Sequence, residues 1–282
     1  MTNRLTLNEE VKPFFETDDK QIWNLILENN ISDLLEILPR EAEDTTFDKI
    51  VGELLSVGES ETLANLKFDA IKESNSNLLR LLVRLMMALE INGNYDEASG
   101  KVERKILDSL PELVKAIQSE SNGYPRQPIS ALVWMEGAGL RAVLNGLAYY
   151  YEKKEDIDHL HLAVILRTQI TLAIMGHYKN IVGPDMVEAA KVKERIGQTE
   201  AALAFYNAVK KDFIGEFNYF RSNPELGINE DDIVIFQSLK NALLAIDRLN
   251  SNDEHDEICA SIDEILSREL IEEPDFDEED DE

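Results

Sequence analysis

The stretch Asn77-Leu78-Leu79-Arg80-Leu81-Leu82-Val83-Arg84-Leu85-Met86-Met87-Ala88-Leu89-Glu90-Ile91 contains neither glycine nor proline and is apolar nearly all round a helical turn. That pattern belongs to a helix buried between neighbours, not to one lying on a surface. Working outward, apolar residues recur every three to four positions nearly throughout the chain. Upstream, Ile22, Trp23, Ile26 and Leu27 form one stripe over 18–28, and Ser32 can cap a short helix carrying Leu34, Leu35 and Leu38. Ile50, Leu54 and Leu55 form another, with Gly58 placed to stop it, and Leu63, Leu66, Ala70 and Ile71 share a face. Downstream, the periodicity predicts longer helices over 95–116, 129–153, 156–175, 185–196, 200–220, 231–249 and 253–270. The stretch 164–175 alternates locally as a strand would, but its length and flanks favour helix. Asn122-Gly123-Tyr124-Pro125 marks a loop over 119–128. Gly183-Pro184 reads as a sharp break, with Pro184 in the first turn of the helix that follows.

Composition agrees with an all-α chain. Of 282 residues 44% are hydrophobic, enough for a continuous core, and the 13 Gly and 8 Pro are few for a protein that turns every 8–12 residues or so. The single cysteine, Cys259, excludes an intramolecular disulfide and a cysteine-cluster metal site; its expected role is that of a small buried hydrophobe. The N-terminus lacks the apolar run of a signal peptide. The most apolar windows are interrupted by Glu136, Arg141 and Arg167, which argues against a membrane span and for a cytoplasmic protein. The net charge of −28 argues against nucleic acid, whose phosphates need a basic face. About half of the imbalance is C-terminal: from Asn252 to Glu282 sixteen acidic residues face one basic residue, Arg268. The last residues, Glu272-Glu273-Pro274-Asp275-Phe276-Asp277-Glu278-Glu279-Asp280-Asp281-Glu282, are too polar to offset their ordering entropy and are expected to be disordered. Such a tail is a solubilising segment, or a lure that steers a basic partner.

Two turns share a phrase. Asn92-Gly93-Asn94-Tyr95-Asp96-Glu97-Ala98 and Ile196-Gly197-Gln198-Thr199-Glu200-Ala201-Ala202 each place Ala five residues after Gly. Glycine suits a tight turn where a Cβ is unfavourable, and alanine lets two helices approach closely. Both turns resemble that of the tetratricopeptide repeat, with Tyr206 at the aromatic position of the second copy. The likeness covers about seventy residues. Val102 replaces the aromatic of the first copy, Pro111 falls one residue late, the usual Trp and Tyr of helix A are absent, and the 129–175 pair is too long. The resemblance implies antiparallel helix pairs stacked as an irregular tetratricopeptide-like right-handed solenoid. Its concave face would hold a peptide or a partner's helix. The register then points Arg80, Val83, Met87 and Glu90, and Val187, Lys191, Glu194 and Arg195, at the groove, although Val83 and Met87 also read as plain core.

Sites for chemistry are sparse. His159 and His161 diverge by about 200° on a helix and cannot share a metal. His177 precedes Asp185 and Glu188, which could assemble a carboxylate–histidine site; a surface or capping role is the plainer reading. His255 is the fourth histidine. No His-Glu-x-x-His, phosphate-loop or Gly-x-Ser-x-Gly phrase is present, and no calcium loop lies in the tail. Trp134-Met135-Glu136-Gly137-Ala138-Gly139-Leu140-Arg141 is the least ordinary phrase. It reads as a tight packing node with a charged edge, or as a buried Glu136–Arg141 pair or ligand contact. Of Tyr149-Tyr150-Tyr151, one ring is expected in the core and at least one, as an interface anchor, outside it.

The sequence therefore predicts an N-terminal short-helix subdomain over 1–75, a helical-repeat body over 76–270 and an acidic tail over 271–282. The expected function is a non-enzymatic adaptor or inhibitor, for example a bacterial immunity protein or a chaperone, that binds a basic protein or peptide. No cofactor or metal is expected, and candidate contacts are Arg80, Met87, Glu90, Glu136, Arg141, Tyr149, Lys191, Glu194 and Arg195. The rivals are a helical enzyme with a small polar pocket near Glu136, Arg141 and His177, and a structural oligomerisation module.

Overall fold

The computed structural model describes residues 45–68, 71–72, 75–122 and 128–270. Every regular element among them is a helix, and the only β-type pairing is an isolated bridge between Ile228 and Leu270. The chain divides into two compact units, Met1–Ile174 and Met175–Glu282. Residues 1–44 of the expected N-terminal subdomain, with the stripe over 18–28 and the Ser32-capped helix, and the whole of the acidic tail over 271–282 lie outside the described residues.

The first unit opens with α1 (Thr45–Val57), whose Phe47, Ile50 and Leu54 are fully buried, and Gly58 ends it at φ +71°. The Glu53 carboxylate reaches beyond that end to α2 (Glu61–Asn65), accepting from the Thr62 amide at 3.0 Å and from the Ser60 and Thr62 hydroxyls. These hydrogen bonds hold Glu53 below its ordinary pKa. Next come α3 (Asn75–Asn92), α4 (Asp96–Glu120), α5 (Ala131–Lys153) and α6 (Ile157–Met175). Nine consecutive residues of α3, Leu81–Leu89, are buried, as its all-round apolar pattern requires. α4 buries a single stripe through Ala98, Val102, Ile106, Leu113 and Ile117, and turns back along α3, with the Ser99 hydroxyl on the Met86 carbonyl.

α5 then runs parallel to α3. Glu136 meets Ser76 and Tyr150 meets Glu90, each pair sixty residues apart in sequence. α6 returns antiparallel to α5: Arg141 bonds Thr171, Asn145 bonds Arg167, and Gly137 faces Ile174. The stretch 164–175, locally strand-like in sequence, is helical here. α6 is long and apolar enough to cross a membrane by composition alone, but half of it is buried within the chain, including Arg167.

The second unit repeats the arrangement with α7 (Lys179–Arg195), α8 (Thr199–Ser222), α9 (Glu230–Asn250) and α10 (Asp256–Leu266). α8 folds back on α7, and α9 follows α7 in parallel, as Asn180–Asp231 and Glu194–Arg248 show. α10 closes onto α8 and α9 through Cys259, Ile262 and Ile265; the cysteine is a buried free thiol. The expected break at Gly183-Pro184 is not formed. α7 begins at Lys179 and continues through Pro184, which falls early in the helix. Gly183 serves close approach instead of a turn, since a Cβ there would lie 2.5 Å from the Phe213 ring.

Four hairpin turns join helix to antiparallel helix, and each holds one residue at positive φ: Gly93, Glu155, Gly197 and Ser251. After α7 the Gln198 amide bonds the Lys193 carbonyl at 2.9 Å and the Gly197 amide bonds Glu194 at 2.9 Å. Asp156 to Tyr151 with Glu155 to Glu152, and Asn252 to Asp247 with Ser251 to Arg248, repeat that pattern. This is the Schellman closure of a helix end, built around glycine once and around non-glycine residues twice.

Candidate functional site

The phrase Trp134–Arg141 sits on α5 and divides its residues among three surroundings. Glu136 is buried, and its carboxylate accepts from the Ser76 amide at 3.0 Å, placing negative charge at the N-terminus of α3 where the helix dipole favours it. Gly139 faces the same turn, with a would-be Cβ 2.5 Å from the Ser76 hydroxyl. Gly137, two residues away and so on nearly the opposite side, lies against Ile174 of α6, at 2.8 Å by the same measure. The two glycines therefore let α5 approach two neighbours at once. Arg141 turns to α6 and donates to the Thr171 hydroxyl at 2.9 Å. Glu136 and Arg141 thus engage different helices. The cavity lined by Ser76, Leu79, Ile117 and Glu136 holds about 10 Å³, room for one water at most.

The side of α5 away from α3 is open beyond the edge where Arg141 and Asn145 bond α6. Trp134 is 43% and Met135 61% exposed, and Leu132, one helical turn before Met135, is exposed as well. From Met135 the stripe continues at helical spacing through Ala138, Ala142 and Asn145 to Tyr149, flanked by Arg141. Large side chains stand at its two ends and alanines lie between. Tyr149 is half-buried with Lys153 over its ring at 5.3 Å, whereas Tyr150 and Tyr151 are both in the core. Two rings of that triplet pack inside, one more than the sequence suggested, because α5 is covered on two sides at this level.

The other groove candidates fall into different environments. Met87 is fully buried and Val83 nearly so, which places both in the packing of α3; Arg80 is half-buried. Glu90 is buried, accepting from the Tyr150 hydroxyl in a short hydrogen bond and from Lys154 at 2.8 Å. In the second unit Glu194 accepts from the Tyr206 hydroxyl and from Arg248, each at 2.7 Å. Burial first, and then the adjacent carboxylate, push both tyrosine hydroxyls far above the ordinary phenol range. Lys191 and Arg195 are exposed on α7. His177, in the second unit, is exposed and stacks on Tyr178 with ring centroids 3.9 Å apart. Among the described residues no three His, Cys, Asp or Glu side chains are grouped to hold a metal.

No known family model matches the chain, and neither a curated protein nor a solved structure matches it.

Proposed function

We propose that this chain is a helical-repeat adaptor or inhibitor that binds another protein along the open face of α5. The observation that carries this reading is the exposure of Trp134 and Met135, with Leu132 one turn before Met135, on a helix whose other sides are closely packed. Scattered exposed apolar residues are ordinary, but a contiguous group at the end of a regular stripe marks an interaction surface. Trp, Tyr and Arg are the residues that dominate interface energies, and Trp134, Arg141 and Tyr149 bring all three to this stripe. Ala138 and Ala142 leave room between them for the ridge of a partner helix or for an extended peptide. The net charge of −28 favours a basic partner through long-range attraction.

Helix pairs followed by a parallel helix within each unit support the repeat reading, as does the recurring left-handed turn. The helices of 17–25 residues that make up α3 to α9 are longer than those of a 34-residue repeat, so the likeness to the tetratricopeptide turn is one of local closure.

The test is capture from cell extract by the purified wild type and by Trp134→Ser/Met135→Ser, at low and at high salt. The expected result is a basic protein retained by the wild type, lost with the double variant and weakened by salt. Capture indifferent to the double variant, or none at all, would contradict the assignment.

A further inference from the structure

Outside the proposed binding face, the second unit holds a chain of three side chains that the fold alone does not demand. His255, which precedes α10, is 2% exposed. Its ring Nδ1 lies 2.5 Å from Asp247 Oδ1, and its backbone N–H donates to Asp247 Oδ2 at 2.8 Å, so both carboxylate oxygens are engaged. Its Nε2 lies 2.7 Å from Nζ of Lys210 on α8. Among the described residues Lys210 forms no ion pair with a carboxylate; its partner is the imidazole. A lysine ammonium has donors only, so Nε2 must offer its lone pair, and Nδ1 must carry the proton that is donated to Asp247. The order is therefore amine, base, orienting carboxylate, the arrangement by which a weak nucleophile is activated.

We propose that Lys210 is an acyl-acceptor amine, modified by small thioesters with His255 as its base and Asp247 holding the imidazole in register. A proton passes from Nζ to Nε2 along the existing hydrogen bond, leaving a neutral amine and an imidazolium paired with Asp247. The amine lone pair attacks the thioester carbonyl carbon and forms the C–N bond. The C–S bond then breaks, and the departing thiolate takes up the one proton that the nitrogen still sheds, while His255 passes the proton it already holds to solvent. The products are an amide and a thiol, with no change of oxidation state. Lys210 is half-buried, so a short acyl group can reach it from solvent.

Lys211, the next residue, is exposed and provides the internal standard. Accessibility alone makes Lys211 the faster of the two. The full chain is incubated with S-acetyl-N-acetylcysteamine at neutral pH, and acetylation at the two positions is followed by peptide mass spectrometry. The expected result is Lys210 modified about tenfold or more faster than Lys211 in the folded chain, with the ratio falling to about one in urea. His255→Asn and Asp247→Asn should each abolish the preference. Lys210 reacting no faster than Lys211 in the folded wild type would overturn the proposal, and that comparison needs no variant to fold. Retention of the preference in a folded His255→Asn variant would overturn it too.

Discussion

Glu90 and Glu194 stand at the same place in the two units: each lies three residues before a left-handed glycine, and each is gripped by a tyrosine hydroxyl and a cation. In both cases the cation belongs to the element that follows in parallel, Lys154 capping the end of α5 and Arg248 lying within α9, so the pair ties one hairpin to the next. A hydrogen bond to a charged group contributes about 1.5–3 kcal/mol, and leaving a buried carboxylate short of a donor adds to the loss. Tyr150→Phe should therefore lower stability by about 2 kcal/mol or more in denaturant titration. Tyr206→Phe should cost less, about 1 kcal/mol, because Glu194 is half-exposed and keeps Arg248.

The helix glycines should divide by what surrounds them. A Cβ at Gly183 would meet the Phe213 ring and Ser238, and one at Gly139 would meet Ser76, so alanine at either position should destabilise by about 1–3 kcal/mol. At Gly137 the nearest atom is the tip of Ile174, which can give way, and the loss should be smaller. Gly100 and Gly215 have open space around them, so Gly100→Ala and Gly215→Ala should stabilise by about 0.5–1 kcal/mol.

The left-handed turns invert that preference. Glu155 and Ser251 hold φ +55° and +53°, where an L-residue is strained by about 1–2 kcal/mol. Glu155→Gly and Ser251→Gly should each raise stability by up to about 1 kcal/mol, less the added entropy of the unfolded chain. Gly93→Ala and Gly197→Ala should lower it by a similar amount, and the same denaturation experiment reads all four.

These turns show how far the sequence could be read. Gly93 and Gly197 announced their hairpins because glycine is the usual occupant of a left-handed helix end. Glu155 and Ser251 close theirs with the hydrogen bonds found at Gly197 but carry no compositional mark, so half of these turns have no signal in the sequence. Pro184 misled in the opposite direction: proline is tolerated near a helix start, and the contact of Gly183 with Phe213 depends on a partner helix that local sequence does not name. The phrase Trp134–Arg141 is visibly unusual in the sequence and reads there as a packing node, which its glycines and Glu136 fit. The exposure of Trp134 and Met135 depends on which sides of α5 are covered by α3 and α6. The Lys210–His255–Asp247 chain joins residues up to 45 apart across three elements and had no local signal.

Alkaline titration should separate the tyrosines. Tyr150, Tyr151 and Tyr206 are pushed up by burial first and then by Glu90, Glu103 and Glu194. A phenol in the unfolded chain ionises near 10, so their contribution to stability is complete below about 10 and is lost as pH rises above it. Of the 8 tyrosines in the chain, these three should show no phenolate absorbance until the chain unfolds. Ionisation of all eight in a still-folded chain would contradict their placement.

Acid should act through Asp247. Burial raises its pKa, but the two hydrogen bonds from His255 and the charge of Lys210 outweigh that and hold it below its ordinary value. Its contribution is therefore present above about 3.9, where the unfolded carboxyl titrates, and is lost as pH falls further. Asp247→Asn should lower stability near neutrality and flatten its decline below about pH 4.

The claim that the open face of α5 binds a protein is tested most directly by photo-crosslinking in cell extract. A photoreactive residue is placed at Met135, and in a control chain at Glu257, which is exposed on α10. The expected result is one basic protein crosslinked from position 135, not from position 257, and lost when Trp134→Ala is added. Equal crosslinking from both positions, or none from position 135, would contradict it.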